Sequence, residues 1–128
     1  MTRVVLDTSV LVAQTAPAGV EAAISAASLA ELHFGVLVAL DDDERARRAQ
    51  RLGVVEATFE PLPVNAAVAR EWGRLAAAVR RRAANPRRRS ADLVIAATAN
   101  VHGARLLTHD TADLAVIADL VDVAGPAG

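Results

Sequence analysis

The chain has 128 residues and a formal net charge of −1, with just over half of its residues apolar, enough for one compact domain with a sizeable core spanning residues 1–128. It has no cysteine and no lysine, which excludes disulfides, zinc–thiolate sites, cysteine nucleophiles and the lysine that a P-loop needs. Phe34, Phe59 and Trp72 are the only aromatic residues, too few for a protein that binds single-stranded nucleic acid by stacking bases.

Val4-Val5-Leu6 is a short apolar, β-branched run and reads as a buried strand, ending at Asp7-Thr8-Ser9, a favourable start for a helix over 10–15. Pro17 and Gly19 break that helix, and residues 19–25 read as a helical turn leading into a short strand around Ile24. The spacing Leu29, Leu32, Val36, Leu40 predicts a second helix. Asp41-Asp42-Asp43-Glu44 begins a third, with Arg45, Arg47, Arg48 and Arg51 placed to suit the helix dipole and to form ion pairs one turn away. Phe59 to Leu62 is a candidate strand. Val64, Val68, Trp72, Leu75 and Val79 mark an amphipathic helix that stops before Asn85-Pro86, because a residue preceding proline avoids helical geometry. An Ala-rich helix runs from Ser90 to about Asn100, Gly103 ends it, and Arg105 to Thr108 reads as a strand. A short helix from about Thr111 and a strand over Leu120–Val123 complete the chain.

Strands thus alternate with helices, and the strands are apolar throughout, as in a sheet covered on both faces. This is the pattern of an α/β domain with a mainly parallel sheet flanked by helices, whose ligands bind at the carboxyl ends of the strands. No apolar run reaches the roughly 20 residues needed to cross a bilayer, and Asp7 interrupts the start too early for a signal peptide. The expectation is a cytoplasmic protein.

Several carboxylates converge on that carboxyl edge. Asp7 follows the first strand, and Asp110 follows the Leu106-Leu107 strand, with Asp113 one helical turn on. Asp92 shares an apolar stripe with Ile95, Ala96 and Ala99, so it points inward, and Glu31 is placed in the first turn of its helix. Each acid has an ordinary structural alternative. Asp7 and Asp110 could cap helices, Ser28-Leu29-Ala30-Glu31 matches a capping box, and Asp92 could favour a helix dipole. Clustering is harder to explain this way. Two carboxylates about 5 Å apart repel by about 3 kcal/mol at an effective dielectric of 20, more than one cap returns. Such a cluster protonates or binds a cation, and oxygen ligands without His or Cys select Mg²⁺ or Mn²⁺, ions that serve phosphoryl chemistry.

Four segments carry a resemblance. Asp7-Thr8-Ser9-Val10-Leu11, Ser28 to Gly35 with Glu31-Leu32, Asp92-Leu93-Val94-Ile95-Ala96-Ala97-Thr98-Ala99, and Leu107-Thr108-His109-Asp110-Thr111-Ala112-Asp113-Leu114 resemble, in order and spacing, the four motifs of PIN domains. The last departs from the family at Leu114, where Phe is usual. The resemblance covers nearly the whole chain and implies a PIN-like fold with an acidic pocket for Mg²⁺ or Mn²⁺. It implies Asp7, Glu31, Asp92 and Asp110 as catalytic carboxylates, with Asp7, Asp92, Asp110 and Asp113 as metal ligands. Thr8, Ser9 and Thr108 match hydroxyl positions that support them. Single-domain PIN proteins of this length are similar to VapC toxins, which implies metal-dependent RNA hydrolysis leaving 5′-phosphate and 3′-hydroxyl ends, a homodimer, and inhibition by a VapB-type antitoxin in a hetero-oligomer.

The arginines from Arg80 to Arg89 form the one dense basic patch, and Arg87, Arg88 and Arg89 lie nearest Asp92 in sequence. They are candidates for an RNA or antitoxin contact, against the alternative of a solvated helix end. His109 is expected to face solvent and Trp72 to pack in the core or at a dimer contact. A receiver domain would need a lysine, a haloacid-dehalogenase-like phosphatase an Asp where Ser9 stands, and a Rossmann domain a Gly-rich loop in place of Asp7-Thr8-Ser9. The remaining alternative is a PIN-like module that binds RNA or protein without cleaving.

Overall fold

A computed structural model describes residues 1–82, 84–85 and 90–127. The chain order is β1 (Thr2–Leu6), α1 (Thr8–Ala13), β2 (Val20–Ala23), α2 (Ala26–Leu37), α3 (Asp42–Thr58), α4 (Ala66–Arg81), α5 (Ser90–Val101), β3 (Arg105–Leu107), a 3-10 helix (Thr111–Ile117) and β4 (Val123–Ala124). The four strands form one parallel sheet in the order β2-β1-β3-β4. The expected mainly parallel sheet flanked by helices is therefore present.

Successive residues of a strand face opposite sides of the sheet, and β1 uses this to feed two cores. Val4 and Leu6 pack with Val10, Leu11, Ile24, Leu32, Leu52 and Val55, under α1, α2 and α3. Val5 packs with Val68, Leu75, Val79, Leu93, Ile95, Leu114 and Ile117, under α4, α5 and the 3-10 helix. β3 divides in the same way, with Leu107 on the first side and Leu106 on the second. A strand apolar on both faces is the expected consequence of burial on both sides.

Several boundaries differ from the sequence reading. Residues 20–23 are strand rather than helical turn, because pairing with β1 (Thr2↔Val20 to Val5↔Ala23) outweighs the weak strand preference of Val-Glu-Ala-Ala. The candidate strand at Phe59–Leu62 shrinks to a single parallel bridge, Leu62↔Ser25, because Pro61 and Pro63 offer no N–H on either side of it. α4 starts at Ala66, not Val64, because the Asn65 side chain caps it by accepting the Val68 N–H at 3.0 Å. The last strand lies at Val123–Ala124, starting at the final residue of the expected span, where it pairs with Leu106 and Leu107 of β3. The short helix after Asp110 is a 3-10 helix, and its buried Leu114 and Ile117, three residues apart, suit three residues per turn.

Glycine is required at one junction that shapes the site. α5 ends on Gly103 at φ +62, where Ala104 N–H returns to the Ala99 carbonyl and the chain turns directly into β3. This short connection fixes β3 beside β1. Among the described residues, no helix is long and apolar enough to cross a membrane.

Candidate active site

The register of the two central strands builds the first part of the site. Leu6 of β1 lies opposite Leu107 of β3, and the Asp7 N–H donates to the Leu107 carbonyl at 2.9 Å. Asp7 and Thr108 therefore leave the carboxyl edge of the sheet side by side. Asp7 is buried, with 6% of its surface exposed. Its Oδ2 accepts the Ser9 hydroxyl at 2.7 Å and the Thr108 hydroxyl at 2.7 Å. It also caps α1, accepting the Ser9 N–H at 3.4 Å. The cap is real but long. The two short hydroxyl bonds to a charged oxygen are the stronger interactions.

A hydroxyl has one hydrogen to give, and both hydroxyls spend it on Asp7. Their lone pairs accept from the next loop: the Ser9 oxygen takes the His109 N–H at 3.0 Å, and the Thr108 oxygen takes the Asp110 N–H at 3.0 Å. Asp7 and the backbone leading to Asp110 are thus joined through Ser9 and Thr108. All three contacts to Asp7 fall on Oδ2, and no described residue donates to Oδ1. Among the described residues that oxygen keeps its full capacity to accept.

Glu31 is placed differently from expectation. α2 begins at Ala26 with Ser25 as its cap, accepting the Ala27 N–H at 3.1 Å, so Ser28 lies inside the helix and Glu31 in its second turn. The capping box over 28–31 does not form. Instead the Thr8 hydroxyl donates to Glu31 Oε1 at 2.7 Å and approaches Ser28 Oγ at 3.1 Å. This ties Glu31 to the first turn of α1, one residue from Asp7. Ser28, fully buried, is a site-supporting residue that the sequence showed only as a cap.

Asp92 lies in the first turn of α5, half-buried, with Leu93, Ile95, Ala96 and Ala99 of the same helix buried. Asp110 stands at the start of the 3-10 helix but makes no side-chain capping bond, and both it and Asp113 are exposed. Helix capping therefore does not account for the Asp110 carboxylate. Burial, the largest cause, and the negative charges of Asp7, Glu31, Asp110 and Asp113 together push the Asp92 carboxyl up to about 6. All five acids predicted from the sequence act on one electrostatic neighbourhood. None forms an ion pair among the described residues.

The donor set suits a hard divalent cation: carboxylate oxygens, no thiolate, and a repulsion that a cation would relieve. Among the described residues, no three acids or histidines are drawn into a single coordination shell as they stand. This is compatible with Mg²⁺, which keeps several of its waters and takes only one or two carboxylates from a protein. Asp7, through Oδ1, and Asp92 are the residues that would hold such an ion, with the exposed Asp110 and Asp113 beside them.

Arg87, Arg88 and Arg89 lie outside the described residues. Of the preceding arginines, Arg82 is used structurally: it reaches the Val116 carbonyl at 2.6 Å and pairs with Asp119 at 2.7 Å. His109 is exposed, as expected, yet its ring meets the Thr15 hydroxyl at 2.6 Å, a contact between residues too far apart in sequence for any local pattern to reveal. Trp72 is partly buried against the second core.

An acidic pocket at the carboxyl edge of a four-stranded parallel sheet, supported by Ser and Thr hydroxyls, is a recognisable class of site. The PIN domain family model matches residues 4–120, and the chain belongs to the PIN-domain family. Within it, the chain is similar to VapC proteins. Ribonuclease VapC4 of Mycobacterium tuberculosis is 37% identical over 125 residues, covering 92% of this chain and 93% of that protein. Among solved structures, VapBC-5 of Mycobacterium tuberculosis, a member of the VapBC family of toxin–antitoxin systems, aligns with a TM-score of 0.83 and 36% identity over 97% of each chain. FitAcB of Neisseria gonorrhoeae aligns with a TM-score of 0.77 and 27% identity, over 96% of this chain and 97% of that one.

Proposed function

We propose that this chain is a VapC-type ribonuclease toxin that hydrolyses RNA phosphodiester bonds with Mg²⁺ or Mn²⁺ at the Asp7–Asp92–Asp110 pocket, and that a VapB-type antitoxin restrains it. The observation that carries the reading is the set of acids gathered at the carboxyl edge, with Asp7 and Glu31 held by hydroxyls and none of the five paired with an arginine or histidine among the described residues; the raised Asp92 carboxyl accords with it. The kinship with Ribonuclease VapC4 supplies the reaction class, and the VapBC-5 system supplies the kind of partner.

The chain's own residues have distinct parts in this reading. Ser9 and Thr108 fix Oδ2 of Asp7, which leaves Oδ1 as the ligand atom. Asp92 and Asp110 complete the carboxylate face, and Asp113 adds charge at its margin. Glu31, held by Thr8, keeps one carboxylate oxygen for orienting a water and accepting its proton, as a general base. The bound ion would offset the charge of the phosphate and lower the pKa of the attacking water. The carboxylates would otherwise repel RNA, so substrate approach depends on that ion.

The test is incubation of total bacterial RNA with the purified protein and Mn²⁺, beside Asp7→Asn and an EDTA control. Cleavage that needs the ion and falls about 100-fold or more in the variant supports the reading, since the ion's charge is worth several kcal/mol in the transition state. Mapped products should carry 5′-phosphate and 3′-hydroxyl ends. Equal cleavage by the variant would remove the site assignment. RNA binding with no cleavage, across transfer, ribosomal and messenger RNA, would instead support the non-cleaving module.

A further inference from the structure

We propose that His109 is a positioning residue, whose latch onto Thr15 holds the Asp110 loop at the acidic pocket. The inference rests on the metal-site reading for its consequence, but its geometry stands on its own. α1 ends at Gln14 in the left-handed region, at φ 56. This turns the chain back sharply, and the Thr15 N–H closes onto the Val10 carbonyl at 3.2 Å. The Thr15 side chain is thereby set on the rim of the site by backbone geometry. The His109 Nε2 meets its hydroxyl at 2.6 Å, while the His109 N–H donates to Ser9 Oγ at 3.0 Å. One residue of the β3-following loop is thus tied at both its ring and its backbone to opposite ends of α1.

The loop needs such a tie. Asp110 and Asp113 are exposed, and the Asp110 side chain makes no capping bond to its own helix. Besides the His109 contacts, Thr108 is held by its N–H on the Ala124 carbonyl and its hydroxyl on Asp7, Asp110 by its N–H on Thr108 Oγ1, and the helix beyond by the Asp113 N–H on the Asp110 carbonyl and by buried Leu114 and Ile117. The charges of Asp110 and Asp113 act unfavourably on Asp92, so contacts that fix the exposed Asp110 side of the loop oppose that repulsion. The ring–hydroxyl contact spans 94 positions of sequence and joins the two sides of the mouth directly.

The experiment compares the unaltered protein with His109→Ala, Thr15→Val, the double variant and His109→Gln, whose Nε2 can reach the same hydroxyl. Amide hydrogen exchange at His109 and Asp110 is measured without metal, and Mn²⁺ affinity by calorimetry. Both exposed sites permit folding, which an unchanged Tm would check. The expected result is exchange about three- to tenfold faster in either single variant, as for the loss of one net hydrogen bond. The double variant should be no faster than a single one, and His109→Gln should match the unaltered protein. Mn²⁺ affinity should weaken by a similar factor. Unchanged exchange, or additive effects in the double variant, would overturn the latch. Faster exchange with unchanged Mn²⁺ affinity would overturn its role at the pocket. Absence of Mn²⁺ binding by the unaltered protein would be a failure of the metal-site reading, and the exchange rates would still decide the latch.

Discussion

The acids of this molecule live in two contrasting regions. Away from the site, on helices and the loop before β4, acids pair with arginines: Glu44 holds Arg47 and Arg48, Glu71 holds Arg74, Asp119 holds Arg82, and Asp122 holds Arg105. There the arginines draw the carboxyls of Glu44, Glu71 and Asp119 below their usual range. At the carboxyl edge of the sheet, Asp7, Glu31, Asp92, Asp110 and Asp113 have no such partner among the described residues, and Asp92 is displaced the opposite way, to about 6. Among the described residues Glu31 is met by a hydroxyl, and Asp7 by two hydroxyls and the Ser9 N–H. A hydroxyl fixes the direction of a carboxylate without cancelling its charge. The difference separates acids whose charge is balanced within the chain from acids whose charge stays unbalanced among the described residues.

The contrast can be broken first at the hydroxyls. Thr108→Val keeps the shape of a buried side chain but removes the donor to Asp7 Oδ2 and the acceptor of the Asp110 N–H. Loss of a residue that orients a metal ligand typically costs about 10- to 100-fold, and a fall of that size is expected in Mn²⁺ affinity and RNA cleavage. Calorimetry and cleavage assays check it. A variant that binds and cuts like the parent would show that the hydroxyls do not set the pocket.

A smaller effect is expected from pH. The Asp92 carboxyl rises on folding from 3.8 to about 6, so the folded state holds its proton more tightly than the unfolded chain. The stability this confers is present below 3.8 and is lost as pH climbs through about 6. Discounted for the half-exposure of the group, the change is about 1 kcal/mol. Thermal unfolding in EDTA should show a fall in Tm through this window, flattened in Asp92→Asn. Saturating Mn²⁺ should restore the loss by binding the folded state. A Tm that rises through the same window, with no response to Asp92→Asn, would contradict the charge reading.

The smallest effect belongs to the other region. Glu44→Gln breaks two exposed ion pairs on α3, and such pairs contribute little to stability. Tm should barely move, and RNA cleavage should be unchanged. A large loss of cleavage would mean that α3 communicates with the pocket.

Much of the pocket is legible in the sequence, for identifiable reasons. Asp92 breaks an apolar helical stripe, and a charge in such a stripe points inward whatever the rest of the fold. Asp7 and Asp110 follow strands of a parallel sheet, so topology alone sends them to one edge. Glu31 is harder. Ser28 and Glu31 fit a capping box equally well, and only the position of Ser25, bridged to Leu62, decides where α2 begins. β2 is hidden in the same way, because Val-Glu-Ala-Ala becomes a strand through pairing with β1 rather than through its own preference. The hydroxyl network and the His109–Thr15 contact depend on the register of β1 against β3. That register is a relation between distant segments, and no local pattern records it.

On the proposed function, a divalent ion completes an acidic cluster that has no counter-charge among the described residues. Calorimetric titration of Mn²⁺ into the purified protein, beside Asp7→Asn, tests it most directly. Saturable binding by the unaltered protein is expected, with its loss, or a weakening of about 100-fold or more, in the variant. Binding that survives Asp7→Asn unchanged, or no binding by either protein, would contradict it.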